Sequence, residues 1–253
     1  MSKRFTDRLV LVTGAGGGLG RAFAQRFASE GASLILTDVD VPLLEETAAL
    51  LRAQGTVCST HKFDLASESE TLQFAAEICS QHPRLDVLIN NAGLAYGEIS
   101  HSFAALSQQK WLRYFAINSI APLILAQALR PSLAEAKGVV LNVSSMAAFM
   151  PATAYGVTKS SLNAMTYGMA NTFGADGIRV NAIAPGLMET PASTAQLPPG
   201  THERIQSQQA LKLHGTAEDI SALAAFLASD DARFITAEIM SCDAGNRLRG
   251  WRS

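Results

Sequence analysis

Seven short apolar runs alternate along this chain with stretches of helical spacing, and that beat restricts the folds open to it. The runs are RLVLVTG (8–14), ASLILTD (32–38), TVCSTHKFDL (56–65), LDVLINNAG (85–93), GVVLNVSS (138–145), IRVNAIAPG (178–186) and EIMSCDAG (238–245). Helical spacing fills the gaps at 20–31, 41–55, 67–82, 107–130, 153–174 and 217–228, with Phe23, Ala24 and Phe27 sharing one face of the first. Strands apolar on both faces and separated by amphipathic helices predict an α/β fold, a parallel sheet covered on both sides. No repeat or linker interrupts the pattern, so residues 1–253 read as a single domain.

Composition removes several classes of function. The chain is 48% hydrophobic and 17% charged, with a net charge of −2. Such a balance gives no electrostatic footprint for nucleic acid. The longest apolar stretch, SIAPLILAQAL, is too short for a membrane span and contains a proline. Cys58, Cys79 and Cys242 are widely spaced and the five histidines are scattered, so neither a disulfide framework nor a metal site is expected. The polar start MSKRFTDR has no secretory pattern, and the expectation is a cytoplasmic protein. Residues 188–215, rich in Pro, Ser, Thr and Gln, are long for a connection and read as an irregular substrate loop.

The first run enters TGAGGGLGR (13–21), where Gly14, Gly18 and Gly20 mark a turn and a helix start. Glycines there let backbone approach a diphosphate, whose charge meets the free N–H groups and positive dipole of the helix. Asp38 ends the second run twenty residues after Gly18, the context of a dinucleotide fingerprint and a Rossmann-like sheet. A carboxylate there accepts from ribose hydroxyls and repels a 2′-phosphate. With no cation in LTDVD, NAD is expected over NADP; the plainer reading makes Asp38 a helix cap.

AYGVTKSS (154–161) sets Tyr155 and Lys159 four apart, on one face of a helix. Bringing a phenol from about 10 to about 7 needs ~4 kcal/mol. One cation about 4 Å away in a partly screened site supplies ~4 kcal/mol. The expectation is a phenol acting as acid and base near neutrality.

TGAGGGLG, NNAG (90–93), Asn118 in FAINSIAP, VSS (143–145), YGVTK (155–159), VNAIAPGLMET (180–190) and DAG (243–245) together resemble the short-chain dehydrogenase/reductase family over essentially the whole chain. The resemblance implies that Tyr155 exchanges the proton on the substrate oxygen and that Ser145 holds that oxygen. It implies that Lys159 binds the nicotinamide ribose, with Tyr155 beside it at the cofactor, and that Asn118 anchors a proton relay at a helix kink. Gly14, Leu19, Asp38, Asp64, Leu65, Asn91, Ala92 and Gly93 would line the adenosine half and diphosphate. Pro185, Gly186, Met188 and Thr190 would fix the carboxamide. Two departures stand out: SMAAFMPATAY is shorter than the family's segment between serine and tyrosine, and the tail 246–253 (NRLRGWRS) is extended. Ser145 is preferred to Ser144 as the second of the pair at the strand's end.

Around this set, Leu94, Ala95, Tyr96, Phe149, Met150, Leu187 and Met188 form the candidate pocket, with Tyr96, Ser145, Phe149 and Leu187 assigned to substrate. The expected reaction is hydride transfer between NAD and a neutral, fairly apolar secondary alcohol or ketone. A 3-oxoacyl reductase is the first alternative, disfavoured by Asp38. A non-enzymatic NAD-binding regulatory protein is the second, disfavoured by the complete set of four residues. In the family, small-residue outer faces such as SLNAMTYGMANTFG pair copies of the chain, implying a homodimer or homotetramer.

Overall fold

The computed structural model describes residues 3–101, 103 and 106–251. Its strands are β1 (Leu9–Thr13), β2 (Ser33–Thr37), β3 (Cys58–His61), β4 (Val87–Asn90), β5 (Val139–Val143), β6 (Arg179–Pro185) and β7 (Ile239–Cys242). All pair in parallel in the order β3-β2-β1-β4-β5-β6-β7, a Rossmann-like single domain. The direction of winding reverses between β1 and β4, where strand ends diverge and a crevice opens.

The expected beat of helices is present: α1 (Gly18–Ser29), α2 (Val41–Ala53) and α3 (Glu68–Gln81), then α4 (Gln108–Phe115), α5 (Ala121–Ala128) and α6 (Arg130–Ala136). After β5 come α7 (Ala154–Phe173), α8 (Pro191–Gln196), α9 (Thr201–Ser207) and α10 (Ala217–Ala228). Side chains alternate across each strand, so β1 feeds two cores. Val10 and Val12 pack with Phe23 and Phe27 of α1, Leu51 of α2 and Ile220 of α10. Leu11 packs with Ile78 of α3, Leu125 of α5 and Phe173 of α7 on the other face. Among the described residues no single helix is long and apolar enough to cross a membrane.

Three elements differ from expectation. The single helix at 107–130 is divided by a π-helical turn at Ala116–Ile120, and α6 starts separately at Arg130 with Pro131 in its first turn. Residues 188–215 are not irregular: α8 and α9 form within them, α8 on a capping box between Thr190 and Ser193. The tail folds as a 3-10 helix over Asn246–Trp251, while residues 252 and 253 lie outside the described residues.

Gly20 and Gly168 separate tight packing from helix propensity. A Cβ on Gly20 would stand 1.9 Å from the carbonyl oxygen of Gly14, whereas one on exposed Gly168 meets nothing within 4 Å. Gly20→Ala should cost about 1–3 kcal/mol through overpacking. Gly168→Ala should stabilise by about 0.5–1 kcal/mol through chain entropy. Urea midpoints of the two variants check both signs.

Candidate active site

At the switch point, Gly14 takes φ +66°, and a Cβ there would come within 2.9 Å of the Ala92 Cα atom. Only glycine lets the turn pass this close to the end of β4. Asn91 holds the approach, its Nδ2 donating to the carbonyls of Thr13 (2.9 Å) and Gly14 (3.0 Å). The Thr13 hydroxyl accepts from the amides of Asn91 and Ala92, each at 3.0 Å. Beyond the turn, a Cβ on Gly17 or Gly18 would meet nothing within 4 Å. No side chain caps α1, so its first N–H groups open into the cleft. An open glycine cradle under an uncapped helix end fits a dinucleotide's diphosphate.

The cleft itself encloses about 1370 Å³ and runs from Asp38 past Gly14, Gly18 and Leu19 to Ser145, Tyr155 and Lys159. Asp64, Leu65, Asn91, Ala92 and Gly93 line it as well. Gly20 does not: it is packed beneath the turn, where it lets α1 approach β1.

At the far end Asp38 accepts from the Gly16 amide (2.9 Å) and the Asp40 amide (3.0 Å). It is not the cap of α2; that is Asp40, which accepts from the Leu43 amide. Arg21 also reaches this end, although nothing in LTDVD pointed to it. Its guanidinium is taken up by Glu46 (2.8 Å), the Thr47 hydroxyl (2.9 Å) and the Gly16 carbonyl (2.9 Å).

The other end is built on α7. Thr153 caps it, its hydroxyl accepting from the Gly156 amide at 3.1 Å, so Tyr155 falls in the first turn and Lys159 one turn on. The short segment before it fits because residue 156 is glycine: a Cβ would meet the Ala147 carbonyl oxygen at 2.8 Å and the Pro151 Cα at 2.9 Å. Lys159 is 4% exposed, and its Nζ donates to the Val143 carbonyl at 2.7 Å. Nζ stands 5.9 Å from the Tyr155 ring centroid. Ser145 lines the cleft beside Tyr155, and its hydroxyl accepts from the Ala147 amide at 3.1 Å. Ser144 lines the cleft too, but its buried hydroxyl has no hydrogen-bond partner among the described residues.

Asn118 is fully buried and does not line the cleft. It sits in the π-helical turn, where Oδ1 accepts from the Leu94 amide (2.8 Å) and Nδ2 donates to the Leu94 carbonyl (2.9 Å). Nδ2 also donates to Thr158 at 3.1 Å, locking the bulged helix to α7. A Cβ on Gly93 would lie 3.1 Å from Asn118 Oδ1 and 3.4 Å from Lys159 Nζ, so this glycine leaves room for both groups.

Burial dominates the electrostatics here. It pushes the Tyr155 phenol up to about 12, against the opposing effect of Ser145 and with Tyr96 adding to the rise. It pulls Lys159 down to about 8. The expected acidification of Tyr155 is therefore reversed in the free protein, because desolvation of the phenolate outweighs the opposing effect of Ser145.

Pro185, Gly186, Leu187, Met188 and Thr190 line the wall opposite α7. Met188 bridges to Gly215, and the Glu189 amide donates to the Gly215 carbonyl at 2.8 Å, closing the base of a lid. His214 and Glu189 pair across the same base. Tyr96 extends from the loop after β4 to the first turn of α8; burial pushes its phenol up, opposed by hydrogen bonds with Thr190 and Ser193. Phe149 is a correction. It is absent from the cleft lining because the Met146–Phe149 turn directs it to the C-terminal segment, where the Arg247 guanidinium lies 4.9 Å from its ring centroid. Met150 is likewise outside, and Met146 lines the cleft in their place. Two cations that the candidate pocket lacked, Arg113 of α4 and Arg204 of α9, also reach the cleft.

Known proteins resemble this chain over nearly its whole length. A family model described as enoyl-(acyl carrier protein) reductase matches residues 14–247. Levodione reductase of Leifsonia aquatica is 35% identical over 257 residues, covering 96% of this chain and 95% of that protein. Meso-2,3-butanediol dehydrogenase of Serratia marcescens is 31% identical over 245 residues, covering 96% and 95%. The solved structure of a 7α-hydroxysteroid dehydrogenase, complexed with NADH and 7-oxo glycochenodeoxycholic acid, matches with a TM-score of 0.87 at 26% identity over 96% of each chain. The chain belongs to the short-chain dehydrogenase/reductase family, oxidoreductases that bind a nicotinamide cofactor.

Proposed function

We propose that this chain interconverts a neutral, fairly apolar secondary alcohol and its ketone, with NAD as the hydride carrier. The observation that carries the reading is that Ser145, Tyr155 and buried Lys159 line one cleft that also reaches the glycine turn. Both relatives named above support the substrate class: butanediol is a neutral secondary alcohol, and a dione reductase acts on a ketone.

Each residue then has a task. The glycine turn and Asp38 would hold a nicotinamide dinucleotide, which would supply or accept the hydride when bound. Ser145 orients the substrate oxygen by hydrogen bonding, and Tyr155 donates its phenolic proton to that oxygen during reduction. Because burial keeps the phenol protonated at neutral pH, reduction starts from the correct state, while alcohol oxidation gains as rising pH removes the proton. Lys159, mostly charged at pH 7, opposes the desolvation of the phenolate and lies where the nicotinamide ribose would rest. Asn118 is a positioning residue: it fixes the Leu94 backbone and joins the bulged helix to Thr158, next to Lys159. Thr190, Met188, Gly186 and Pro185 close the nicotinamide end.

Asp38 supports NAD over NADP, since its carboxylate faces the ribose end and Arg21 is already engaged by Glu46 and Thr47. Leu112, Ile120 and Tyr167 are exposed on the helices that carry the site, which supports assembly of identical chains as a dimer or tetramer.

Tyr155→Phe should lower kcat/KM for alcohol oxidation by about 10²–10⁴-fold. It should still bind NADH, measured by the enhancement of its fluorescence; turnover at the wild-type rate would remove the proposed acid. Asp38→Ala should shrink the NAD:NADP ratio of kcat/KM by about tenfold, through loss of one partly screened like-charge contact. An unchanged ratio in that assay would place cofactor selection elsewhere.

A further inference from the structure

The lid brings a guanidinium to the cleft that no group among the described residues takes up. Thr201, Arg204 and Ile205, spaced i, i+3, i+4, form the cleft-facing side of α9. Across the same cleft, Gly18, Arg21, Ala22 and Gln25 form one face of α1, at i, i+3, i+4 and i+7. The first turn of α10, packed against α1, adds Ala217 and Glu218.

The seat of α9 is fixed. The Ala210 and Leu211 amides both donate to the Ala244 carbonyl, at 2.8 and 3.1 Å. Asn246 Nδ2 donates to the Ile205 carbonyl at 3.2 Å. Its roofing side is therefore anchored from the C-terminal segment.

The two arginines of this section match Glu46 and Glu218 in number, but only Arg21 and Glu46 are paired. Arg21 is taken up by Glu46, Thr47 and Gly16. Arg204 makes no side-chain hydrogen bond or ion pair among the described residues, not even with Glu218. The uncapped N–H groups of α1 line the same cleft as Arg204, itself exposed, and carry only about half a positive charge. A diphosphate seated there brings two negative charges, and a guanidinium fork is the side chain best shaped to meet one of its phosphoryl groups.

We propose that Arg204 clamps the diphosphate of the bound dinucleotide, tying the 188–215 lid to the cofactor. This rests on the dinucleotide reading above and adds to it a lid residue that senses the cofactor's charge.

Calorimetric titration of the whole protein with NADH, ADP-ribose and adenosine tests it. Arg204→Gln should weaken NADH and ADP-ribose about five- to tenfold at low salt, as expected for one partly exposed charge-assisted contact. Adenosine, which lacks the diphosphate, should bind as before. Arg204→Lys should recover part of the loss, and the gap should narrow as salt rises. Unchanged NADH and ADP-ribose affinities in Arg204→Gln overturn the clamp, as does an equal loss for adenosine, which would mark a structural effect. Intact NADH binding with a raised KM for a carboxylate-bearing substrate overturns it too, and assigns the cation to the substrate. Failure of the wild-type protein to bind NADH or ADP-ribose would instead remove the cofactor reading itself.

Discussion

A single hydrogen bond, from the buried Lys159 ammonium to the Val143 carbonyl, orders the reacting end of this molecule. It joins α7 to the C-terminal end of β5, the strand that delivers Ser144 and Ser145. Fixing Lys159 fixes the turn before it, and so places Tyr155 beside Ser145 at the cleft. A cation held 4% exposed is costly, and the chain tolerates it beside Asn118 and a glycine that leaves room for both. Strain of this kind is kept where a protein uses it.

The sheet order supplies the rest of the geometry. Reversal between β1 and β4 opens the crevice, Gly14 and Asn91 bring its two sides together, and the lid closes over it from β6. Asn118 works at a distance from the cleft surface: its π-helical turn faces the amide group inward to hold Leu94 and Thr158. One end of the cleft is thus polar and built by backbone N–H groups, while the other is lined by the phenols of Tyr96 and Tyr155.

Much of this was legible in residue spacing. The glycine turn, Asp38 and the Tyr155–Lys159 pair are local patterns whose geometry follows from a strand, a turn or one helical repeat. Arg21, Met146 and Arg204 were not, because their place in the cleft depends on how separate elements pack, which spacing does not encode. Phe149 failed for the same reason: a 3-10 turn rotates it toward Arg247. The lid helices escaped notice because a Pro- and Ser-rich composition resembles loop, although the Thr190–Ser193 box is a start signal once sought. The sign of the tyrosine's shift also lay beyond the sequence, since desolvation depends on the depth of burial and not on the neighbour's identity.

The account stands on Lys159 being a desolvated cation. Its proton affinity is lowered on folding, from 10.5 to about 8, so between those values the unfolded chain holds a proton that the folded one has released. Stability must therefore rise with pH across this window, by about 3 kcal/mol from this group. Replacing Lys159 by Met removes the titrating charge and keeps an apolar stem, and the orphaned Val143 carbonyl adds only a pH-independent cost. The direct measurement is urea unfolding of wild type and Lys159→Met from pH 7 to 10.5. The account predicts that the wild-type protein gains about 3 kcal/mol relative to the variant over that range. A difference that stays constant with pH would contradict it.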